Sequence, residues 1–297
     1  MPIIEIKDIS KLYGFGDATT VALDEVCLNV ERGEFVAFMG PSGSGKSTLM
    51  HTIGLLDRPT HGTYKLDGKY ISRLSQGKRA KIRRDKIGFV FQSFNLLPKL
   101  TVLENVALPL AYKGMLQTKR LKKASAMLER VGLADREYYF PHQLSGGQAQ
   151  RVAIARAMIN DPQIIIADEP TGNLDSASSR LVMELLSDVH KSGNTILMVT
   201  HNPSLTKYSE RVIFMHDGTI VADERTKLGE IPNTLRRSMY FMPKKTVDDD
   251  LRGVSSLMKN IKDSKTTESS NVEKITKPTK KLTKKRVYKS QKKEKNK

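Results

Sequence analysis

Asp168-Glu169 ends the apolar run Ile164-Ile165-Ile166-Ala167. Two acids at a buried strand end offer two kinds of chemistry: one carboxylate can orient a magnesium ion, and the other can take a proton from water. Upstream, Leu144-Ser145-Gly146-Gly147-Gln148 reads as a helix start, with backbone N–H groups and a dipole suited to a phosphate. A third segment, Gly40-Pro41-Ser42-Gly43-Ser44-Gly45-Lys46-Ser47, matches G-x-x-x-x-G-K-[ST] in full. Its glycines let backbone amides wrap a β-phosphate without a Cβ in the way. Lys46 then reaches the β- and γ-phosphates, the Ser47 hydroxyl ligates Mg²⁺, and Thr48 carries the chain into a helix. The chemistry implied is binding of a nucleoside triphosphate with Mg²⁺, and the phosphate loop alone leaves kinases, GTPases, helicases and transport ATPases open.

Four apolar runs must position these groups. Phe35–Met39 leads into the phosphate loop, Ile87–Phe91 into Gln92, Ile164–Ala167 into Asp168, and Thr195–Thr200 into His201. Unbroken runs of this length suit parallel strands covered on both faces. A lone glutamine or histidine at a strand end is more often structural than functional. The carboxyl ends of strands in an open α/β sheet nevertheless form the ligand crevice, which makes Gln92 a candidate metal-shell residue and His201 a candidate γ-phosphate contact. Tyr13 offers a ring for stacking on adenine.

Residues 1–91 and 161–225 hold these runs and motifs, so they are expected to form a nucleotide-binding α/β core, with 92–160 helical between them. Over 118–131, Leu121, Ala124, Met127, Leu128 and Val131 share one helical face, and Gly132 supplies a stop. Residues 226–297 form a basic extension. The segment 231–297 carries +13 of the formal net charge of +18, and 281–297 holds nine Lys/Arg against one acid without apolar periodicity. The extension reads as largely disordered. Leu251, Val254, Leu257, Met258 and Ile261 give a helical face over 248–262, weakened by Gly253.

The ordered motifs resemble the ATP-binding cassette (ABC) ATPases from about Ile3 to Val221. The resemblance makes Tyr13 the aromatic loop, Gly40–Ser47 Walker A, Gln92 the Q-loop and Leu144–Gln148 the signature. Ile164–Asp168 with Glu169 is Walker B, Asn173-Leu174-Asp175 the D-loop and His201 the switch histidine. Gly88–Pro98 and Ala167–Asp175 look like the branch that serves macrolide exporters, lipoprotein-release complexes and antimicrobial-peptide exporters. The implied fold is a P-loop (RecA-like) α/β core with an antiparallel β subdomain and an inserted α-helical signature subdomain, within a cassette spanning 1–225. The implied assembly is a homodimer with composite ATP sites beneath a separately encoded four-helix permease. In it Ser145, Gly146, Gly147 and Gln148 of one subunit cover the ATP on the other's Walker A loop, and Asp175 reaches across the dimer. Ser47, Gln92 and Asp168 form the Mg²⁺ shell, while Lys46, Glu169 and His201 act on the γ-phosphate and water. Ala149 departs from the further glutamine usual in the branch, with little consequence expected for the chemistry.

No apolar stretch approaches the roughly 18–20 residues that span a bilayer, and charges interrupt the first residues where a signal peptide needs an apolar region. The chain is therefore expected to be cytoplasmic and peripheral on the inner face of the membrane through its permease. Cys27, the single cysteine, lies in an alternating strand context with Val26, Leu28 and Val30 and reads as a small core or sheet residue. Two rivals stay open. One is a ribosome- or nucleic-acid-associated ABC protein, with the lysine tail as an RNA anchor. The other is a non-transport cassette that drives a cell-division or signalling permease-like partner. The tail is expected to bind anionic membrane surfaces electrostatically, at about 1 kcal/mol per basic residue near the surface. Truncation after Asp263 should leave basal ATP hydrolysis unchanged and weaken sedimentation with anionic vesicles at low salt. A full-length chain that ignores vesicles yet binds RNA tightly would reverse that assignment.

Overall fold

The computed structural model describes residues 1–14 and 19–225. The basic extension from 226, with the helical face expected over 248–262, lies outside the described residues. The chain begins with two long strands, β1 (Pro2–Tyr13) and β2 (Thr20–Glu31), then β3 (Phe35–Met39), the phosphate loop and α1 (Lys46–Ile53). Next come β4 (His61–Leu66), β5 (Lys69–Tyr70), α2 (Gln76–Lys86) and β6 (Ile87–Phe91). The middle is helical, with α3 (Val102–Tyr112), α4 (Gln117–Arg130) and α5 (Gly146–Met158). It returns through β7 (Ile164–Asp168), α6 (Ser176–Lys191), β8 (Thr195–Val199), β9 (Arg211–His216) and β10 (Thr219–Arg225).

Two sheets result. A four-stranded antiparallel sheet has the order β2-β1-β4-β5, and a six-stranded sheet the order β10-β9-β3-β8-β7-β6. In the larger sheet β6, β7, β8, β3 and β9 run parallel, and only β10 is antiparallel. The apolar runs explain why. Val36, Phe38, Ile164, Ile166, Leu197 and Val199 bury one face against α1 and the antiparallel sheet. The alternate residues, including Phe35, Ala37, Ile165 and Met198, bury the other face with Val182, Met183 and Leu186 of α6. A strand with both faces covered has no place for polar side chains along its length, so they collect at its ends.

The inserted helices have a core of their own, in which Val106, Leu110, Ala124, Leu128, Val152 and Ala155 pack together. Within α4, Ala124, Met127 and Leu128 are buried as the 118–131 pattern predicts, and Gly132 follows the helix in the left-handed region at φ 68°. Fully buried Asn105 ties the start of α3 to the loop before it. Its amide donates to the Leu97, Leu100 and Thr101 carbonyls, and its Oδ1 accepts from the Leu97 N–H.

One expectation needs correcting. Cys27 is a sheet residue of β2 but not a core one, because its side chain is exposed. Val26, Leu28 and Val30 face inward, and the two-residue period of a strand turns Cys27 outward, where its thiol donates to Asp8 Oδ1 at 3.1 Å. Among the described residues no helix is long and apolar enough to cross a membrane.

Candidate active site

The strand register places four functional positions along one edge. Phe38 pairs with Val199, Val199 with Asp168, and Asp168 with Phe91. Within two residues of that row the chain reaches Gly40, His201, Glu169 and Gln92.

The phosphate loop starts there. Gly40 has φ 145°, and a Cβ on it would land on the Met215 carbonyl of β9. Gly45, which precedes α1 at φ 92°, would bring a Cβ within 2.5 Å of the Ala22 carbonyl of β2. These two glycines seat the loop flat against both sheets. Pro41, Ser42 and Gly43 form its outer turn, and nothing lies within 4 Å of a Cβ on Gly43. Ser44 is buried, whereas the Ser47 hydroxyl at the start of α1 is exposed. Lys46 is buried and donates to the Gly40 carbonyl at 3.0 Å, the Pro41 carbonyl at 2.7 Å and Ser44 Oγ at 3.2 Å. Burial pushes its ammonium below the usual lysine range, against the pull of Glu169 and Asp168.

Asp168 shares the strand parity of Ile164 and Ile166 and so faces α1. Burial, then the neighbouring Glu169 charge, raises its carboxyl above the usual range, while His51 and Lys46 oppose the shift. Glu169 adopts φ 47°, a left-handed conformation that costs a non-glycine residue about 1 kcal/mol or more. Its N–H is held by the Val199 carbonyl at 3.0 Å. The turn breaks the strand alternation. Glu169 Oε1 meets His201 Nδ1 at 3.1 Å, and the Glu169 charge also acts on Lys46 and Asp168. Glu169 and His201 line a cleft of about 460 Å³ beyond the strand ends, together with Thr171, Thr200 and Arg180.

Gln92 lies against the D-loop. Its Nε2 donates to Asn173 Oδ1 at 3.4 Å, Asn173 Nδ2 donates back to the Gln92 carbonyl at 3.2 Å, and Gly172 leaves room for the amide. The signature starts α5 with Ser145 as its cap: Ser145 Oγ accepts from the Gln148 N–H at 3.3 Å, and Gln148 Oε1 accepts from the Ser145 N–H at 2.9 Å. The Gln148 side chain is thus committed to the capping box. Buried Ala149 packs in the next turn of α5. Asp175 caps α6 in the same manner, accepting from the Ser178 N–H at 2.9 Å. Gly146 and Gly147 lie against Leu174 and Ser178 of that second helix start, and not against the phosphate loop. Tyr13 ends β1 with its hydroxyl on Asp57 at 2.9 Å, and the Thr48 side chain also approaches the phenol.

Two partners were not evident in the sequence, Asp57 and Gln150. Gln150 is fully buried on α5, and its Nε2 donates to the Pro170 carbonyl at 2.8 Å, tying the signature helix to the turn after Glu169. Only Asp57 left a trace, as the acid of a Gly54-Leu55-Leu56-Asp57-Arg58-Pro59 turn after α1. The donors fit a magnesium nucleotide. Gly40 and Gly45 let the loop lie closer to β9 and β2 than any Cβ would allow, Lys46 is bonded there only to neutral oxygens, and Ser47, Asp168 and Gln92 offer the hard oxygens that Mg²⁺ takes.

The raised Asp168 carboxyl has a consequence for stability. Its folded pKa lies above the unfolded value, so the penalty is absent at low pH and grows in as pH rises through the folded pKa. Asp168→Asn should therefore raise the melting temperature of the nucleotide-free chain at pH 7, on a scale of about 2–4 °C per kcal/mol for a domain of this size. The gain should vanish below about pH 4, where the carboxyl is protonated in both states. Calorimetric melts at the two pH values check this.

Known proteins are similar to this chain in sequence and fold. Residues 23–172 match the family model described as ABC transporter. An uncharacterized ABC transporter ATP-binding protein of Bacillus subtilis, YvrO, is 52% identical over 223 residues, covering 75% of this chain and 97% of that protein. A macrolide export ATP-binding/permease protein, MacB of Hyphomonas neptunium, is 48% identical over 226 residues, which is 76% of this chain but only 35% of MacB. Among solved structures, the dimeric post-hydrolysis state of the ATP-binding cassette MJ0796 bound to ADP and Pi superposes with a TM-score of 0.71 at 45% identity, covering 75% of this chain and 99% of that one. On sequence and fold alike, the chain belongs to the ABC transporter family as an ATP-binding cassette.

Proposed function

We propose that this cassette is the ATP-hydrolysing subunit of an exporter or release complex for a lipoprotein, peptide or drug-like substrate. Two copies close on two ATP molecules and open after hydrolysis. The observation that carries this reading is the separation of the two phosphate-binding ends within one chain. Gly40 and Gly45 neighbour Met215 and Ala22, whereas Gly146 and Gly147 neighbour Leu174 and Ser178. A signature that does not reach its own phosphate loop is suited to cover another's, and the related cassette MJ0796 is described as a dimer bound to ADP and Pi. Asp175, on the same edge as the signature, is placed to meet the second copy.

Within each site Lys46 exchanges its loop carbonyls for phosphate oxygens, and the Ser145–Gly147 amides of the other copy complete the γ-phosphate cradle. Ser47, Asp168 and Gln92 hold Mg²⁺, which when bound offsets charge on the β- and γ-phosphates. Glu169 takes a proton from the attacking water, and His201, bonded to Glu169 at 3.1 Å, orients that carboxylate and contacts the γ-phosphate. The permease side is supported by a groove of about 770 Å³ between β6, α2, α3 and α5. Phe89, Phe91 and Pro109 line it, and Arg84 and Arg156 add positive charge. MacB relatives are named as combined ATP-binding/permease proteins, and we assign the groove to a permease segment here. Gln92 directly follows Phe91, so a segment seated in the groove adjoins the metal shell.

Glu169→Gln should keep ATP binding, lower turnover by at least about 100-fold and leave a dimer with Mg-ATP on size-exclusion chromatography. Near-normal hydrolysis would remove Glu169 from its role. Ser145→Arg should leave the nucleotide affinity of the isolated monomer intact and stop hydrolysis. Mixed with Lys46→Ala, it should recover activity, because such heterodimers have one doubly damaged site and one with both surfaces intact. Loss of monomer affinity in Ser145→Arg equal to that in Lys46→Ala would refute shared sites.

A further inference from the structure

The turn after α1 holds an acid that the mechanism above does not use. Asp57 Oδ2 accepts the Tyr13 hydroxyl at 2.9 Å, and Asp57 Oδ1 accepts Lys11 Nζ and the Arg58 N–H at 2.8 and 2.7 Å. Lys11 Nζ also donates to the Arg58 carbonyl at 2.8 Å and sits 4.8 Å from the centroid of the Tyr13 ring, over one face. The turn is itself pinned. The Asp57 N–H reaches the His51 carbonyl at the end of α1, Arg79 of α2 donates to the Asp57 carbonyl, and Arg83 donates to the Leu55 carbonyl at 2.7 Å. Burial works to raise the Asp57 carboxyl, yet its hydrogen bonds with Lys11, the Arg58 N–H and Tyr13 outweigh burial and hold it below the usual carboxylate range, so it is a fixed charged acceptor near neutral pH.

An exposed tyrosine at a strand end normally samples several rotamers, and each lost rotamer is a cost to any ligand that needs one. Here the hydroxyl and one ring face are both occupied, which holds the ring in one orientation.

We propose that Asp57 is a positioning residue for the nucleotide base: it locks the Tyr13 ring, with Lys11 behind it, as a preformed platform against which adenine stacks. The inference rests on the reading of Tyr13 as the adenine contact. It adds that base affinity is set by the turn after α1 and, through Arg79 and Arg83, by α2.

The test measures ATP and tripolyphosphate binding by calorimetry, together with steady-state hydrolysis. Tyr13→Phe keeps the ring and removes the bond to Asp57, whereas Asp57→Ala removes the acceptor. Each should weaken ATP binding and raise KM by about three- to tenfold, the scale of one hydrogen bond, with kcat little changed. The double variant should be no weaker than the worse single one, since both break the same contact. Tripolyphosphate, which has no base, should bind all variants alike. Tyr13→Phe keeps the question open if Asp57→Ala fails to fold. If both variants bind ATP as the parent does while Tyr13→Ala binds weakly, the positioning role is wrong and the platform stands. If Tyr13→Ala also binds normally, the platform reading falls. Equal loss of ATP and tripolyphosphate affinity would show general damage to the phosphate loop and overturn the proposal.

Discussion

A parallel sheet buried on both faces can do polar chemistry only where its strands stop. That constraint organises the whole cassette. β3, β7 and β8 spend their lengths on Phe, Val, Ile, Leu and Met side chains, so backbone amides are paired in the ladder and no polar group is stranded inside. Because the strands run the same way and in register, their carboxyl ends fall in one row, and the phosphate loop, Asp168, Glu169, His201 and Gln92 arrive together without being near in sequence. The helices and the antiparallel sheet are then the cover that such a sheet requires. At the phosphate loop the cover and the sheet edge meet closely, and Gly40 and Gly45 make room for that approach.

The electrostatics of the edge follow from partial burial. Lys46 and Asp168 are each disfavoured in their charged forms by the surrounding protein, and each is partly compensated by the other. Neither is satisfied by a full ion pair in the free chain, for Lys46 spends its donors on carbonyls and a hydroxyl. A polyanion with its metal suits both groups at once, which gives the site preorganised charges and little reorganisation on binding. The left-handed Glu169 adds a small backbone strain at the turn that sets its carboxylate beside His201.

Local features were readable in the sequence and long-range ones were not. The apolar runs appear as the strands they suggested, and the 118–131 periodicity appears as α4, with Ala124, Met127 and Leu128 buried and Leu121 partly so. The phosphate loop was legible from its spacing between a strand and a helix, and the signature as a helix start, for which the structure adds the Ser145–Gln148 capping box. Cys27 turned outward because the alternation that marked its strand also marks its side. Pairings across the fold left no such signal. Asp57 with Tyr13, Gln92 with Asn173 and Gln150 with Pro170 join segments that only the folded topology brings together. A side chain's donors and acceptors say what it needs, but not which distant group will meet that need. The basic extension, whose charge dominates the composition, stands apart from all of this, since nothing in the cassette calls for it.

The junction of α5 and α6 has a mechanical meaning. Gly147 has no side chain where Ser178 packs, and a Cβ there would stand 2.6 Å from Ser178 Oγ. The start of the signature helix therefore sits directly on Ser178 and Leu174 beside the helix capped by Asp175, and Gln150 bonds the same helix to the turn after Glu169. Close-packed contacts of this kind have little free volume. The signature, the helix capped by Asp175 and the turn after Glu169 thus share one boundary, with no room for a further side chain between Gly147 and Ser178.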